Sequence, residues 1–174
     1  MTADKTYYLK DNRTGKESEY ITEFRFKKKE NSFVFEFFCE KSCRFSACEG
    51  FNTAIYDGDV CEIFISADGN RNVYYELEVA PNNSRFFKKV VNNGGKRQST
   101  EVEDAFSSQV KDYKNGYAVV MEVPFESIEY REDAETFFNA YRIETENGEK
   151  DKFLLALSPT LSGTFHKPEY FVKI

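Results

Sequence analysis

Three glutamates and two tyrosines, spaced two residues apart or close to a turn, are the residues of this chain best placed to do chemistry. In 60–65, Cys61, Ile63 and Ile65 alternate with Val60, Glu62 and Phe64; in 73–79, Val73, Tyr75, Leu77 and Val79 alternate with Tyr74, Glu76 and Glu78. Successive side chains on a strand point to opposite faces. Burying the apolar set therefore turns Glu62, Glu76, Glu78 and Tyr74 outward. If the two strands are neighbours, that outer face is a plate of carboxylates with Tyr56 of the preceding loop at its rim. Carboxylates accept hydrogen bonds from hydroxyls, and an aromatic ring packs on the CH face of a sugar. The surface suits a polyhydroxylated ligand or a cation. A glycosidase pair also needs two carboxyl groups, and side chains two apart on a strand stand roughly 6.6 Å apart. The plain alternative is a solvated acidic sheet face.

The elements that must carry these residues are strands. Alternation of period two marks about ten of them: 20–27, 32–39, 60–66, 73–80, 85–91, 106–111, 117–123, 137–144, 152–157 and 170–174. Polar turns rich in Asn and Gly punctuate them, as at Asp68-Gly69-Asn70 and Asn115-Gly116. The pattern predicts an all-β fold, an antiparallel β-sandwich of two sheets. One short helix is expected over 124–135, where Glu126, Glu129 and Glu132 suit an exposed face, and 92–98 reads as a mobile loop.

At 174 residues with 40% hydrophobic and 31% charged side chains, the chain is expected to be one domain over 1–174, able to bury a core without staples. Its 18 Phe and 11 Tyr, with no Trp, favour pleated surfaces. A net charge of −6 argues against nucleic acid as a partner, which needs a basic surface. No run approaches the ~18 apolar residues of a membrane span, and the start lacks an apolar run of signal-peptide length. Read as native, that start implies the cytoplasm; a trimmed leader would imply an extracellular protein. Cys39, Cys43, Cys48 and Cys61 fit zinc-ligand spacing poorly and read as reduced, mostly buried small hydrophobes. No G-x-S-x-G or phosphate-loop signature is present, so an enzyme is not expected.

Four segments in order resemble the family-nine carbohydrate-binding modules and their wider DOMON-like group. They are Tyr56-Asp57-Gly58-Asp59-Val60-Cys61-Glu62-Ile63-Phe64-Ile65; Tyr74-Tyr75-Glu76-Leu77-Glu78-Val79-Ala80-Pro81-Asn82; Gly116-Tyr117 through Glu122-Val123-Pro124-Phe125; and Phe138-Asn139-Ala140-Tyr141-Arg142, followed by Leu157-Ser158-Pro159-Thr160 and Phe165-His166-Lys167-Pro168. The resemblance is strongest over 33–174. It implies non-catalytic binding of a mono- or oligosaccharide between two aromatic side chains, which fall on Tyr56 and Phe165. Glu62 would bond hydroxyls, with Tyr141 and Glu78 as further contacts. No cofactor is required by this reading, though the family's use of structural calcium would place an ion at Asp57 and Asp59. His166, the only histidine, reads as a structural hydrogen-bonder. This chain has Tyr56 and Phe165 where the family usually has Trp, and Glu78 where some members have Arg. An orphan sandwich that has lost sugar binding and serves as a protein-interaction or ligand-sensing domain is the alternative.

Overall fold

Residues 5–41, 44–113, 115–146, 148 and 151–174 are described by a computed structural model. Among them thirteen strands run in chain order: β1 (Tyr7–Tyr8), β2 (Lys10–Asp11), β3 (Thr22–Lys28), β4 (Ser32–Glu40), β5 (Val60–Ser66), β6 (Val73–Val79), β7 (Arg85–Asn93), β8 (Lys96–Glu101), β9 (Ser107–Tyr113), β10 (Gly116–Pro124), β11 (Phe137–Glu144), β12 (Phe153–Ala156) and β13 (Val172–Lys173). They form two antiparallel sheets. One has the order β1-β3-β4-β10-β9; the other runs β2-β12-β11-β5-β6-β7-β8, with β13 pairing the far end of β11.

The two sheets face one another through a core built largely from Phe. Phe24 and Phe26 of β3, Phe35 of β4 and Phe138 of β11 pack ring to ring across the gap, with Phe138 5.3–5.8 Å from the other three centroids. Val119, Met121 and Val123 of β10, and Ile63, Ile65, Leu77 and Val79 of β5 and β6, complete the layer. Such pairs add to the burial of their area because tilted and offset rings suit the aromatic quadrupole. Gly116 permits β10 to lie against β4: a Cβ there would meet the Cys39 carbonyl oxygen at 2.0 Å. Cys39 and Cys61 are buried thiols on opposing sheets with Sγ atoms 3.5 Å apart; Cys43 lies outside the described residues.

Two expectations from the sequence are corrected. Residues 124–135 hold only a 3-10 turn, Phe125–Ile128, which Glu129 ends in the left-handed region. Four residues are too few to bury an amphipathic face, and Phe125 packs instead on Tyr130 at 4.1 Å. The expected loop at 92–98 is the turn of the β7–β8 hairpin, in which Gly94 and Gly95 supply positive φ. Every residue of β8 is exposed, so no apolar alternation announces that strand.

A buried ion network closes one end of the sandwich. Glu144 pairs with Arg142, and Lys41 donates to both Glu144 and Asp59. Arg142 also donates to Thr22 Oγ1 at 2.8 Å, and Asp59 accepts from the Thr145 and Phe45 amides at 2.9 Å. Two anions thus face two cations with little water. Replacing Glu144 by Gln should cost about 3–5 kcal/mol, since it leaves buried cations undercompensated. Urea unfolding at neutral pH checks this; a loss below about 1 kcal/mol would show the network to be dispensable.

Candidate functional site

The outer face of the larger sheet is not the solvated plate that the alternation implies. Glu62, Glu78 and Tyr74 are 2%, 1% and 0% exposed. The reason is a second hydrophobic layer. Phe64 stacks on Tyr74 with centroids 5.4 Å apart, His166 lies 4.9 Å from Phe64, and Phe171 meets Tyr74 edge-on. The C-terminal segment is thereby laid across β5, β6 and β11. Asn12, fully buried, fixes its approach by donating to Thr160 Oγ1 and the Ser162 carbonyl and accepting from the Thr160 amide. Asn139 holds Ser158 in the same manner.

Where this cover stops, a cleft of about 690 Å³ remains, with Glu62, Glu76 and Glu78 in its floor. Register explains the arrangement. Tyr141, Glu62, Glu78 and Phe86 lie side by side across β11, β5, β6 and β7, and Asn139, Phe64, Glu76 and Lys88 form the next row. One oxygen from each glutamate lies within 4.8 Å of the others. Tyr56 stands at the rim, 40% exposed and edge-on to Phe86 at 5.7 Å, on a 3-10 turn anchored by buried Ile55. Phe165 lines the cleft while its ring lies on Tyr141, 4.2 Å away and nearly parallel.

Of the residues singled out by sequence, Tyr56, Glu62, Glu78 and Phe165 therefore share one cleft, as does Glu76. Tyr141 does not line it. Its ring is wholly buried beneath Phe165 and its hydroxyl donates to the Phe165 carbonyl, so it props the wall instead of meeting a ligand. Arg142 points into the opposite face of β11, where it bonds Thr22 and Glu144. Phe86, Lys88 and Arg97 also line the cleft; the Phe86-Lys88-Val90 alternation carried that signal, whereas Arg97 lies on the hairpin read as a loop.

The acidic loop does not form a cation cage. Asp57 is exposed and pairs with Lys152 at 3.1 Å, and Asp59 is buried with its oxygens engaged by Lys41, Phe45 and Thr145. The Lys41 ammonium already supplies the positive charge there, so the two residues do not fit a shared calcium ion.

The glutamate triad differs: among the described residues no lysine or arginine is bonded into it. Burial pushes Glu62 and Glu78 well above the usual carboxylate value, and their acidic neighbours push them further. Burial also raises Glu76 to about 7, although Arg97 and Lys88 pull the other way. Burial holds His166 down at about 3, so its 3.7 Å approach to Glu76 is not an ion pair. The neutral ring instead shares a 2.8 Å hydrogen bond with the Tyr74 hydroxyl. Carboxyls with raised folded-state values bind more protons folded than unfolded. Their favourable contribution is complete below about pH 4.5 and is lost as pH rises through the folded values. Stability of the ligand-free protein should thus fall between pH 5 and pH 8.5. Glu78→Gln should flatten that decline and stabilise the protein at pH 8.5 by on the order of 1–3 kcal/mol. Urea midpoints across that range test the sign; a variant as pH-sensitive as the parent would contradict it.

A family model described as carbohydrate family 9 binding domain-like matches residues 46–173. No curated protein matches the sequence. Among solved structures, a Bacteroides uniformis protein described as a candidate carbohydrate-binding protein aligns with TM-score 0.79 at 15% identity, over 97% of this chain and 84% of that one. A family 9 carbohydrate-binding module from Caldicellulosiruptor kristjanssonii, in complex with cellotriose, aligns with TM-score 0.69 at 13% identity, over 98% and 80%. A glucose complex of a family 9 module from that organism gives 0.66 at 14%, over 97% and 83%. At such identities the structural likeness speaks for the fold. The family match spans the cleft from Tyr56 to Phe165, and the chain belongs to the carbohydrate family 9 binding domain-like family.

Proposed function

We propose that this protein binds a mono- or oligosaccharide in the cleft without turning it over, with the pyranose held against Tyr56 and Phe165 and its hydroxyls donating to Glu62 and Glu78. The observation that carries this reading is a cleft with carboxylates in its floor and rings at its edges. A sugar offers both an apolar CH face and a rim of donors, and the cleft offers partners for each. Its volume lies within the range of small-ligand sites. Family membership supports the same reading, as do the cellotriose and glucose held by two structurally similar proteins.

The placement of the acids supports binding without hydrolysis. A glycosidase sets two carboxyl groups on either side of the scissile bond, about 5–9.5 Å apart. Here one oxygen of each of three glutamates lies within 4.8 Å of the others in a single floor, an arrangement suited to holding a ligand from one side. Phenyl and phenol rings offer less contact area than indole. Together with the cost of association this points to affinities of roughly 10 μM to 1 mM.

Tyr56 gives the cleaner test because it is half exposed and its loss leaves the second core intact. Tyr56→Ala should weaken binding of glucose or cello-oligosaccharides about tenfold, equivalent to one ring contact of about 1.4 kcal/mol, with unchanged thermal stability. Phe165→Ala should abolish detectable binding and also destabilise the fold by about 3 kcal/mol, because Tyr141 loses its cover. Titration followed by NMR shifts or calorimetry, beside thermal melts, measures both. Absence of any saturable response to sugars at tens of millimolar would favour a domain that has lost sugar recognition.

A further inference from the structure

The floor of the cleft gathers more carboxyl groups than a neutral sugar needs. Glu62, Glu76 and Glu78 lie on adjacent strands, and Oε2 of Glu78 is buried with no hydrogen-bond partner. Among the described residues, the nearby cations are committed elsewhere or stay at the edge. Lys152 donates to the Tyr56 carbonyl and Asp57, Lys88 faces Glu101 at 3.7 Å, and Arg97 lines the outer hairpin without bonding to the triad. A hydroxyl can donate to one of these oxygens, yet it leaves the mutual repulsion of the carboxylates unrelieved.

An ammonium meets the requirement. It has three donors and no acceptor, and its bonds to carboxylates run about 2.7–2.9 Å. A single atom can lie within about 2.8 Å of all three glutamate oxygens, given their mutual separations. A divalent metal fits less well, because calcium seeks six to eight oxygens, whereas the cleft also presents the cations Lys88 and Arg97 and the rings of Phe64, Phe86 and Phe165. Those rings call for an organic cation with an apolar face.

We propose that the cleft recognises an amino sugar, a pyranose bearing an unacetylated primary amine, with its ammonium seated among Glu62, Glu76 and Glu78 and its ring against Tyr56 and Phe165. This rests on the saccharide-binding reading above and names the class of sugar. Acetylation would remove the charge and two of the three donors. The acetylated sugar is therefore the discriminating competitor, with the neutral sugar as reference.

The test is calorimetric titration of the full chain with glucosamine, N-acetylglucosamine and glucose, and with their β-1,4-linked tetramers. Unacetylated ligands should bind at least tenfold more tightly than the acetylated and neutral ones. Glu62→Gln and Glu78→Gln, which keep shape and remove charge, should erase that preference, bringing unacetylated, acetylated and neutral sugars to within about twofold of one another in each variant. Equal affinities for all three would overturn the amine site and leave saccharide binding standing. No binding of any sugar would overturn both. A preference that survives in both Gln variants would overturn the placement of the ammonium. Sugar binding that requires added calcium, or is blocked by it at micromolar concentration, would show the triad to be a metal site and overturn the proposal.

Discussion

The cover that the C-terminal segment lays on the larger sheet is the interaction on which the rest of the molecule depends. A sheet needs one buried face to be stable, and β3, β4 and β10 provide it on the inner side. The outer face would then be solvent-exposed, as alternation with Glu normally signals. Here Phe64, Tyr74 and Tyr141 project outward in that supposedly polar set, and Phe165, His166 and Phe171 return to cover them. Strand β5 is consequently buried along its whole length on both sides. The cover is incomplete. The gap between Phe165, the Tyr56 turn and the β7–β8 hairpin is the cleft, and its three glutamates sit in a low-dielectric setting because apolar rings surround them.

The sequence made the inner half of this arrangement legible and hid the outer half. Period-two alternation located β5, β6, β7, β10 and β11 to within a residue or two, and on β5 and β6 it sorted each residue to the correct face. What it could not provide was the destination of the far tail. Whether Glu62 faces water or a cleft depends on Phe165, about a hundred positions away, and no local pattern encodes that contact. Phe64 and Tyr74 were the available hint, being large apolar rings on the side assigned to solvent. Tyr141 failed as a direct contact for the same reason: on its face, the sequence gives no sign that another ring lies on top. β8 escaped notice because Lys-Arg-Gln-Ser-Thr-Glu has no apolar side to show, its pairing with β7 being carried by the backbone ladder and a Lys88–Glu101 ion pair. The acidic spacing over 126–132 looked helical, since the i, i+3 interval is common to α-helices and 3-10 turns.

One sheet displays two treatments of buried charge, paired on one face and unpaired on the other. On its inner side Glu144, with Asp59 nearby, meets Arg142 and Lys41, and each carboxylate is hydrogen-bonded by cations or amides. That network has no room for a ligand and no need of one. On the outer side Glu62 and Glu78 stand beside each other with no cation bonded to them among the described residues, and an oxygen is left unsatisfied. Folding tolerates such a site only at a cost in desolvation and repulsion. A cost of this kind, placed in a cleft and not sealed in the core, is characteristic of positions kept for recognition.

On the proposed reading, stability and recognition are coupled through the same three side chains. A ligand that satisfies the triad relieves repulsion that the empty fold must carry, and it binds the native state alone because the unfolded chain separates the glutamates. Mass action then turns occupancy into stability, about 2.7 kcal/mol at a hundred times the dissociation constant. Weak affinity does not remove this coupling; it shifts the concentration at which it is felt. His166 contributes as a neutral strut. Its ring is held by Tyr74 and Phe64, and its backbone carbonyl accepts from Asn92, so it fixes the wall while adding no positive charge that would compete with a ligand for the floor. A protonated imidazole there would have quenched the triad from within. Burial prevents that, and so leaves the carboxylates to whatever enters from outside.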